Sequence, residues 1–82
     1  MFRNTTQMIG WEYSTLMFTP DVAPWPKASW TAPDGTTTSY NRSQGSAVLA
    51  ALKARGWQVY TLIELVGQAR GYRLYRMRRL AA

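Results

Sequence analysis

The chain contains no cysteine and no histidine. Without cysteine there is no disulfide to reinforce the fold and no thiolate for metal binding or nucleophilic attack. Without histidine the usual general base at neutral pH and the commonest metal ligand are both missing. Carboxylates are scarce too: Glu12, Asp21, Asp34 and Glu64 are all the acidic residues present. No phosphate-cradling glycine loop, nucleophile elbow or metal-ligand spacing occurs. The expectation is a non-enzymatic domain with no cofactor and no metal. No stretch approaches the roughly 20 apolar residues of a membrane span. The opening "MFRNTTQMIG" lacks the apolar run of about 7–15 residues that marks a secretory signal. Cytoplasm is therefore the default expectation.

The 82 residues make a single domain, 1–82. A chain this short buries only about 60% of its unfolded surface. Four tryptophans and five tyrosines offset this in part, because each buries a large area. Self-association is a common further source of stability for so small a core, and a homo-oligomer is expected.

Positive charge is abundant and unevenly placed. Residues 1–52 carry Arg3, Lys27 and Arg42 against Glu12, Asp21 and Asp34, which sum to zero. Residues 53–82 carry Lys53, Arg55, Arg70, Arg73, Arg76, Arg78 and Arg79 against Glu64, and so hold the whole net charge of +6. Such asymmetry points to an anionic partner. Solubility alone would also be served by a few units of net charge.

The hydrophobic patterning predicts five strands and one helix. "GWEYSTLMF" (Gly10 to Phe18) reads as a strand rich in aromatic and β-branched residues. Trp11, Tyr13, Thr15 and Met17 share one face, and Glu12, Ser14, Leu16 and Phe18 the other. "TPDVAPWPKA" is a proline-rich loop that holds Trp25 between Pro24 and Pro26 on stiff, extended backbone. "ASWTAPDGTTTSY" is a hairpin turned at Pro-Asp-Gly. "NRSQGSAVLAALKARG" is a short helix, capped near Asn41, Ser43 or Ser46 and closed by Gly56, with Val48, Ala51 and Leu52 as its apolar stripe. "WQVYTLIELV" follows as a strand whose more apolar face, Trp57, Val59, Thr61, Ile63 and Leu65, should meet the helix. "GQARG" then turns the chain into a last strand, "YRLYRMRRL". The order β-β-β-α-β-β implies an α+β fold: a mainly antiparallel sheet of four to five strands with one helix packed on one face.

Three of these segments together resemble the domain-of-unknown-function family 4177, short bacterial and phage domains. Trp11, Glu12 and Tyr13 match its opening strand. Leu49, Leu52, Gly56, Trp57 and Val59 match its helix-to-strand junction, and Tyr75 and Arg76 its closing aromatic-basic pair. Gln58 stands where the family usually has glutamate, and residues 20–40 are longer than in the family. The resemblance implies the α+β fold and carries no established activity.

Two groups of residues are candidates for function. In the last strand Arg73, Tyr75, Met77 and Arg79 share one face, and Tyr72, Leu74, Arg76, Arg78 and Leu80 the other. If Tyr75 and Met77 meet the helix, Arg76 and Arg78 project together from the open face, about 7 Å apart. Their forked guanidinium groups suit phosphate oxygens. A charged edge strand protected against aggregation would show the same pattern. Arg73, Arg76, Arg78 and Arg79 are thus the candidate anion-binding residues. Trp25, Trp30, Tyr40 and Tyr60 are candidates for exposure, with Trp25, Trp30 and Tyr60 the candidate stacking or interface residues. Trp11 and Trp57 are expected in the core. Glu12 and Glu64 are expected to pair with arginines of neighbouring strands. These features favour a binding module for an anionic partner, nucleic acid or phosphorylated nucleotide. The alternative is a protein-interaction or assembly module that packs its sheet face and Trp25 loop on another chain.

Overall fold

The structure is a computed structural model and describes residues 10–20, 23–65, 67 and 70–81. Asp21 of the proline-rich loop and Gln68 and Ala69 of the "GQARG" connection lie outside the described residues. The described residues form β1 (Trp11–Phe18), β2 (Lys27–Thr31), β3 (Thr37–Asn41), a 3-10 turn (Arg42–Gln44), α1 (Gly45–Ala54), β4 (Gln58–Glu64) and β5 (Arg73–Leu80). The strands make one sheet in the order β3-β2-β1-β5-β4, antiparallel at every step. This is the expected α+β fold.

The topology decides which face of the sheet is left open. β3 and β4 are opposite edges, and α1 connects them, so the helix must cross one face. At about 1.5 Å per residue its ten residues span about 15 Å, and the flanking residues 42–44 and 55–57 make up the rest of the roughly 19 Å that four strand spacings measure. The core lies between helix and sheet: Leu16, Phe18, Ala28, Leu52, Trp57 and Met77 are buried. Trp30, Val48, Leu49, Val59 and Tyr75 pack against them.

The inward line of the helix is Gly45, Val48, Leu49 and Leu52, at i, i+3, i+4 and i+7. Ala51, expected on that stripe, is exposed. The difference arises because Gly45 is buried where the helix meets Phe18, which rotates the contact line toward Leu49. Gln44 accepts a hydrogen bond from the Asn41 N–H at 3.2 Å where the 3-10 turn begins. Arg42 clamps this corner, donating to the carbonyls of Thr19 at 3.0 Å and Gly71 at 2.8 Å.

The helix stops in a Schellman motif. The Gly56 N–H donates to the Lys53 carbonyl at 3.0 Å and the Trp57 N–H to the Leu52 carbonyl at 3.1 Å. Gly56 adopts φ +95°, and a Cβ there would meet nothing within 4 Å. Gly56→Ala should therefore cost only conformational strain, about 1 kcal/mol. A lowered urea midpoint with an unchanged m-value would show it.

The Pro-Asp-Gly hairpin forms as expected. The Gly35 N–H donates to the Ala32 carbonyl at 2.9 Å, and the Thr36 N–H donates to Asp34 Oδ1 at 2.9 Å. The Thr36 backbone N–H, and secondarily its hydroxyl, holds the Asp34 carboxyl below its ordinary pKa.

β4 departs from the sequence pattern. Val59 pairs with Met77, but Thr61, not Tyr60, pairs with Arg76. This bulge inserts Tyr60 as an extra residue and reverses the alternation beyond it. Trp57 and Val59 face the helix as expected. After the bulge Thr61 and Ile63 pair with Arg76 and Leu74 on the open face, and Leu62 and Glu64 take the helix side. An unbroken period of two cannot reveal a bulge, so that part of the predicted helix-facing row is overturned.

Candidate functional site

The register across the central strands sorts the arginines. Met77 is fully buried opposite Ser14, and Tyr75 packs its ring on Phe18 at 5.7 Å. Residues 73, 75, 77 and 79 therefore face the helix, and Arg76 and Arg78 project from the open face. The strand rise separates these two by about 7 Å.

The four candidate arginines do not form one cluster. Arg73 and Arg79 stand on the helix side, each directly opposite a glutamate. Arg73 Nε contacts Glu64 Oε2 at 3.1 Å, and Arg79 Nε contacts Glu12 Oε2 at 2.6 Å. This is the expected cross-strand pairing. Arg79 also lies over the Trp57 ring at 4.5 Å and donates to the Arg55 carbonyl at 3.3 Å. It thereby ties the last strand to the end of α1, and its charge is already compensated. The exposed Arg73–Glu64 pair adds about 1 kcal/mol or less to stability.

Arg76 and Arg78 have no carboxylate partner among the described residues. Arg78 is held instead by aromatic rings. Its guanidinium carbon lies 4.2 Å from the centre of the Trp11 ring and 5.7 Å from that of Tyr60. Its Nε is buried without a hydrogen-bond partner. Tyr13, directly opposite Arg78 on β1, meets Tyr60 edge-on at 6.0 Å. Arg76 is exposed beside them and lines, with Tyr13, Thr15, Thr31 and Tyr60, a shallow depression of about 230 Å³. The β4 bulge delivers Tyr60 to this face, beside Arg78 and Tyr13. On β2 and β3 the open face continues as a hydroxyl ladder, Thr31 to Thr37 at 3.0 Å and Ser29 to Ser39 at 3.3 Å, and ends at the Lys27–Asn41 pair.

The three candidate aromatics separate. Tyr60 belongs to the arginine face and is 46% exposed. Trp30 lies on the helix side, half-buried, against Trp57 at 6.3 Å, with its Nε1 buried and unpartnered. It lines a groove of about 380 Å³ with Tyr40, Val48, Ala51 and Leu52, the full thickness of the sheet away from Arg76 and Arg78. Trp25 is 85% exposed on its proline-flanked loop, beyond the Phe18 end of β1. Five residues of strand separate that end from Tyr13, or about 17 Å. Trp25 is therefore not part of the Arg78 cluster.

Trp11 and Tyr13 are the members the sequence reading missed. Trp11, expected in the core, is 42% exposed, and Tyr13 is 51% exposed. The alternation of β1 puts Trp11 and Tyr13 in one row, but it does not say which row the helix covers. Ser14, Leu16 and Phe18 are the buried row, so Trp11 and Tyr13, one residue out of phase, must face away.

Compared with family models, with curated proteins and with solved structures, the chain finds no match in any of the three. No helix among the described residues is long and apolar enough to cross a membrane. No group of three or more acidic side chains that could hold a metal ion occurs among them.

Proposed function

We propose that the chain is a non-enzymatic binding module for single-stranded nucleic acid, held on the open face of the sheet. The observation that carries this reading is the segregation of charge by the sheet. Glu12 and Glu64 lie on the helix side with Arg79 and Arg73, while Arg76 and Arg78 stand among Trp11, Tyr13 and Tyr60 on a face with no carboxylate among the described residues. Exposed aromatic faces suit stacking with any base, and cations between them suit the backbone that links the bases. The spacing of Arg76 and Arg78 is comparable to that of successive phosphates on an extended strand. Arginine, rather than lysine, adds two parallel N–H donors for each phosphate. The partner is thus a polyanion with flat groups attached, of which a mononucleotide is the smallest form. A cytoplasmic, nucleic-acid-accessible setting accords with this reading. The resemblance to family 4177 bears on the fold and adds no activity.

Titration with short oligonucleotides at two salt concentrations, followed by tryptophan fluorescence, tests the proposal. Trp11 sits in the site, so its emission should change saturably at low salt. The logarithm of the affinity should fall with the logarithm of salt by about 0.7 for each phosphate engaged. No saturable change at low salt would refute it.

The exposure of Trp25 favours a second reading, a protein-interaction module that docks the proline-flanked loop. An isolated, fully presented tryptophan has the character of an interface anchor. Binding through that loop would be lost in Trp25→Ala and nearly indifferent to salt, whereas binding through the open face would survive that substitution.

A further inference from the structure

The groove between α1 and the outer strands lies on the helix side of the sheet, apart from the arginine face. Its walls are Val48, Ala51 and Leu52 of the helix with Trp30 of β2 and Tyr40 of β3, and it holds about 380 Å³. Clefts that take small molecules measure about 300–1,000 Å³ and are lined mainly by apolar side chains, with a few polar groups that fix orientation. No carboxylate lines this groove. One cation does: Arg55, exposed and without an ion-pair partner among the described residues.

Positive charge and an unmet donor share one end of it. The Trp30 ring stands edge-on to Trp57 at 6.3 Å, and Trp57 follows Arg55 by two residues. Trp30 and Arg55 therefore belong to the end where α1 stops. Trp30 Nε1 is buried there with no hydrogen-bond partner. A donor removed from water without an acceptor is destabilising, and native structures rarely leave one so. Tyr40 and Gln44 mark the other end, beside the start of α1, where the Gln44 side chain is engaged by the Asn41 N–H. Helical rise over the eleven residues from Gln44 to Arg55 amounts to about 16 Å. The groove is thus elongated, aliphatic along the helix and equipped with two donors at one end.

We infer that this groove binds an alkyl carboxylate, a fatty acid of medium chain length. Its headgroup lies against Arg55, and its chain runs along Val48, Ala51 and Leu52 toward Tyr40. The two carboxylate oxygens suit the two donors. The guanidinium makes a charge-assisted pair, and the Trp30 N–H gains the acceptor it lacks through a turn of the half-buried ring toward the headgroup. The chain covers apolar wall that is otherwise left to water. A nucleotide does not suit the same groove, because its sugar and phosphates would lose water against aliphatic walls. This site is independent of the open face.

Titration of the full chain with decanoate, below its micelle concentration, tests the inference by calorimetry and by the indole N–H resonances in NMR. Binding should be saturable and should shift the Trp30 indole resonance, which is identified by its loss in Trp30→Phe. Decan-1-ol and decyltrimethylammonium, with the same chain and no anionic head, should bind at least tenfold more weakly. Arg55→Gln should weaken decanoate binding at least tenfold. Lys53→Ala removes an exposed cation of the same helix and should change it less than twofold, which separates the local guanidinium from net charge. Ala51→Trp fills the groove from an exposed helix position and should abolish binding, with circular dichroism confirming the fold. Replacing Arg76 and Arg78 by alanine should leave decanoate binding in place. Absence of saturable binding, a Trp30 resonance that does not move, or affinity unchanged in Arg55→Gln or in Ala51→Trp would overturn the inference. So would loss of binding in the Arg76 and Arg78 variant, which would put the carboxylate on the open face.

Discussion

Gly45→Ala should lower the melting temperature by about 10 °C. Gly45 is buried in the first turn of α1, in ordinary helical backbone, so neither φ nor helix propensity argues against alanine. The obstacle is the ring of Phe18. A Cβ at Gly45 would stand 3.1 Å from Cδ2 of Phe18 and well inside contact distance of Cε2 and Cζ. The ring cannot swing clear. Phe18 is 5% exposed, with the Tyr75 ring centre 5.7 Å away and the Arg42 guanidinium 5.5 Å above it. Overpacking of this kind costs about 1–3 kcal/mol. Alanine's better helix propensity returns at most about 1 kcal/mol, and less in a first turn. A net loss of about 2 kcal/mol in a domain of this size lowers the melting temperature by about 8–16 °C. Thermal unfolding by circular dichroism reads it directly. The mechanism is separable from general fragility. Adding Phe18→Leu opens the space that the methyl group needs, so the double variant should lose less than the sum of the two single losses. Strict additivity would show that the contact is not the cause. Gly56→Ala offers the contrast, since there the cost lies in φ and no neighbour can relieve it.

Replacing Arg76 and Arg78 together by alanine should weaken oligonucleotide binding at low salt by at least tenfold, and reduce the salt slope by about 1.4. The slope follows from two phosphate contacts at about 0.7 each on a single strand. The affinity loss adds the stacking role of Arg78, whose guanidinium lies 4.2 Å from the centre of the Trp11 ring. Removing it also frees Trp11 and Tyr60 from the cation that holds them, so the emission change on binding should shrink. The control removes the same charge elsewhere: Lys53→Ala with Arg70→Ala, both exposed, one on α1 and one in the β4–β5 connection. If net charge alone attracted the ligand, both double variants would behave alike. A reduced slope confined to the Arg76 and Arg78 variant locates the site on the open face, and equal losses in the two would remove that location. Arg78→Lys refines the point. It keeps the charge but loses the planar fork, so it should preserve the slope and still lose affinity.

Much of this architecture was legible along the chain because its determinants are local. The Pro-Asp-Gly turn carries its own geometry in three residues, and the Asp34 carboxylate accepts the Thr36 N–H at 2.9 Å as that motif requires. The helix ends where Gly56 supplies a positive φ. The alternation of "YRLYRMRRL" groups Arg76 with Arg78 and Tyr75 with Met77 on opposite faces; that Met77 and Tyr75 are the inward pair comes from their partners Ser14 and Phe18. Glu12 and Glu64, the only carboxylates in predicted strands, found the cross-strand arginines that scarcity of acid left for them.

What tertiary structure decided is everything that depends on register and on which strand neighbours which. A bulge is a property of two strands and not of one. "WQVYTLIELV" alternates without interruption, yet pairing with β5 inserts Tyr60 and turns Thr61 and Ile63 away from the helix. Trp11 and Trp30 exchange their expected places for the same reason. The buried row of β1 starts at Ser14 and leaves Trp11 in the open, while the register of β2 sets Trp30 opposite Leu16 under the helix. The four arginines look like one cluster along the chain, but a strand's two-residue period divides them between faces. Arg73 and Arg79 go to the helix side, and Arg76 and Arg78 to the open face. Their partition into two compensated by glutamate and two cradled by aromatic rings could not be counted from composition, because it follows from which residues of β1 and β4 stand opposite them.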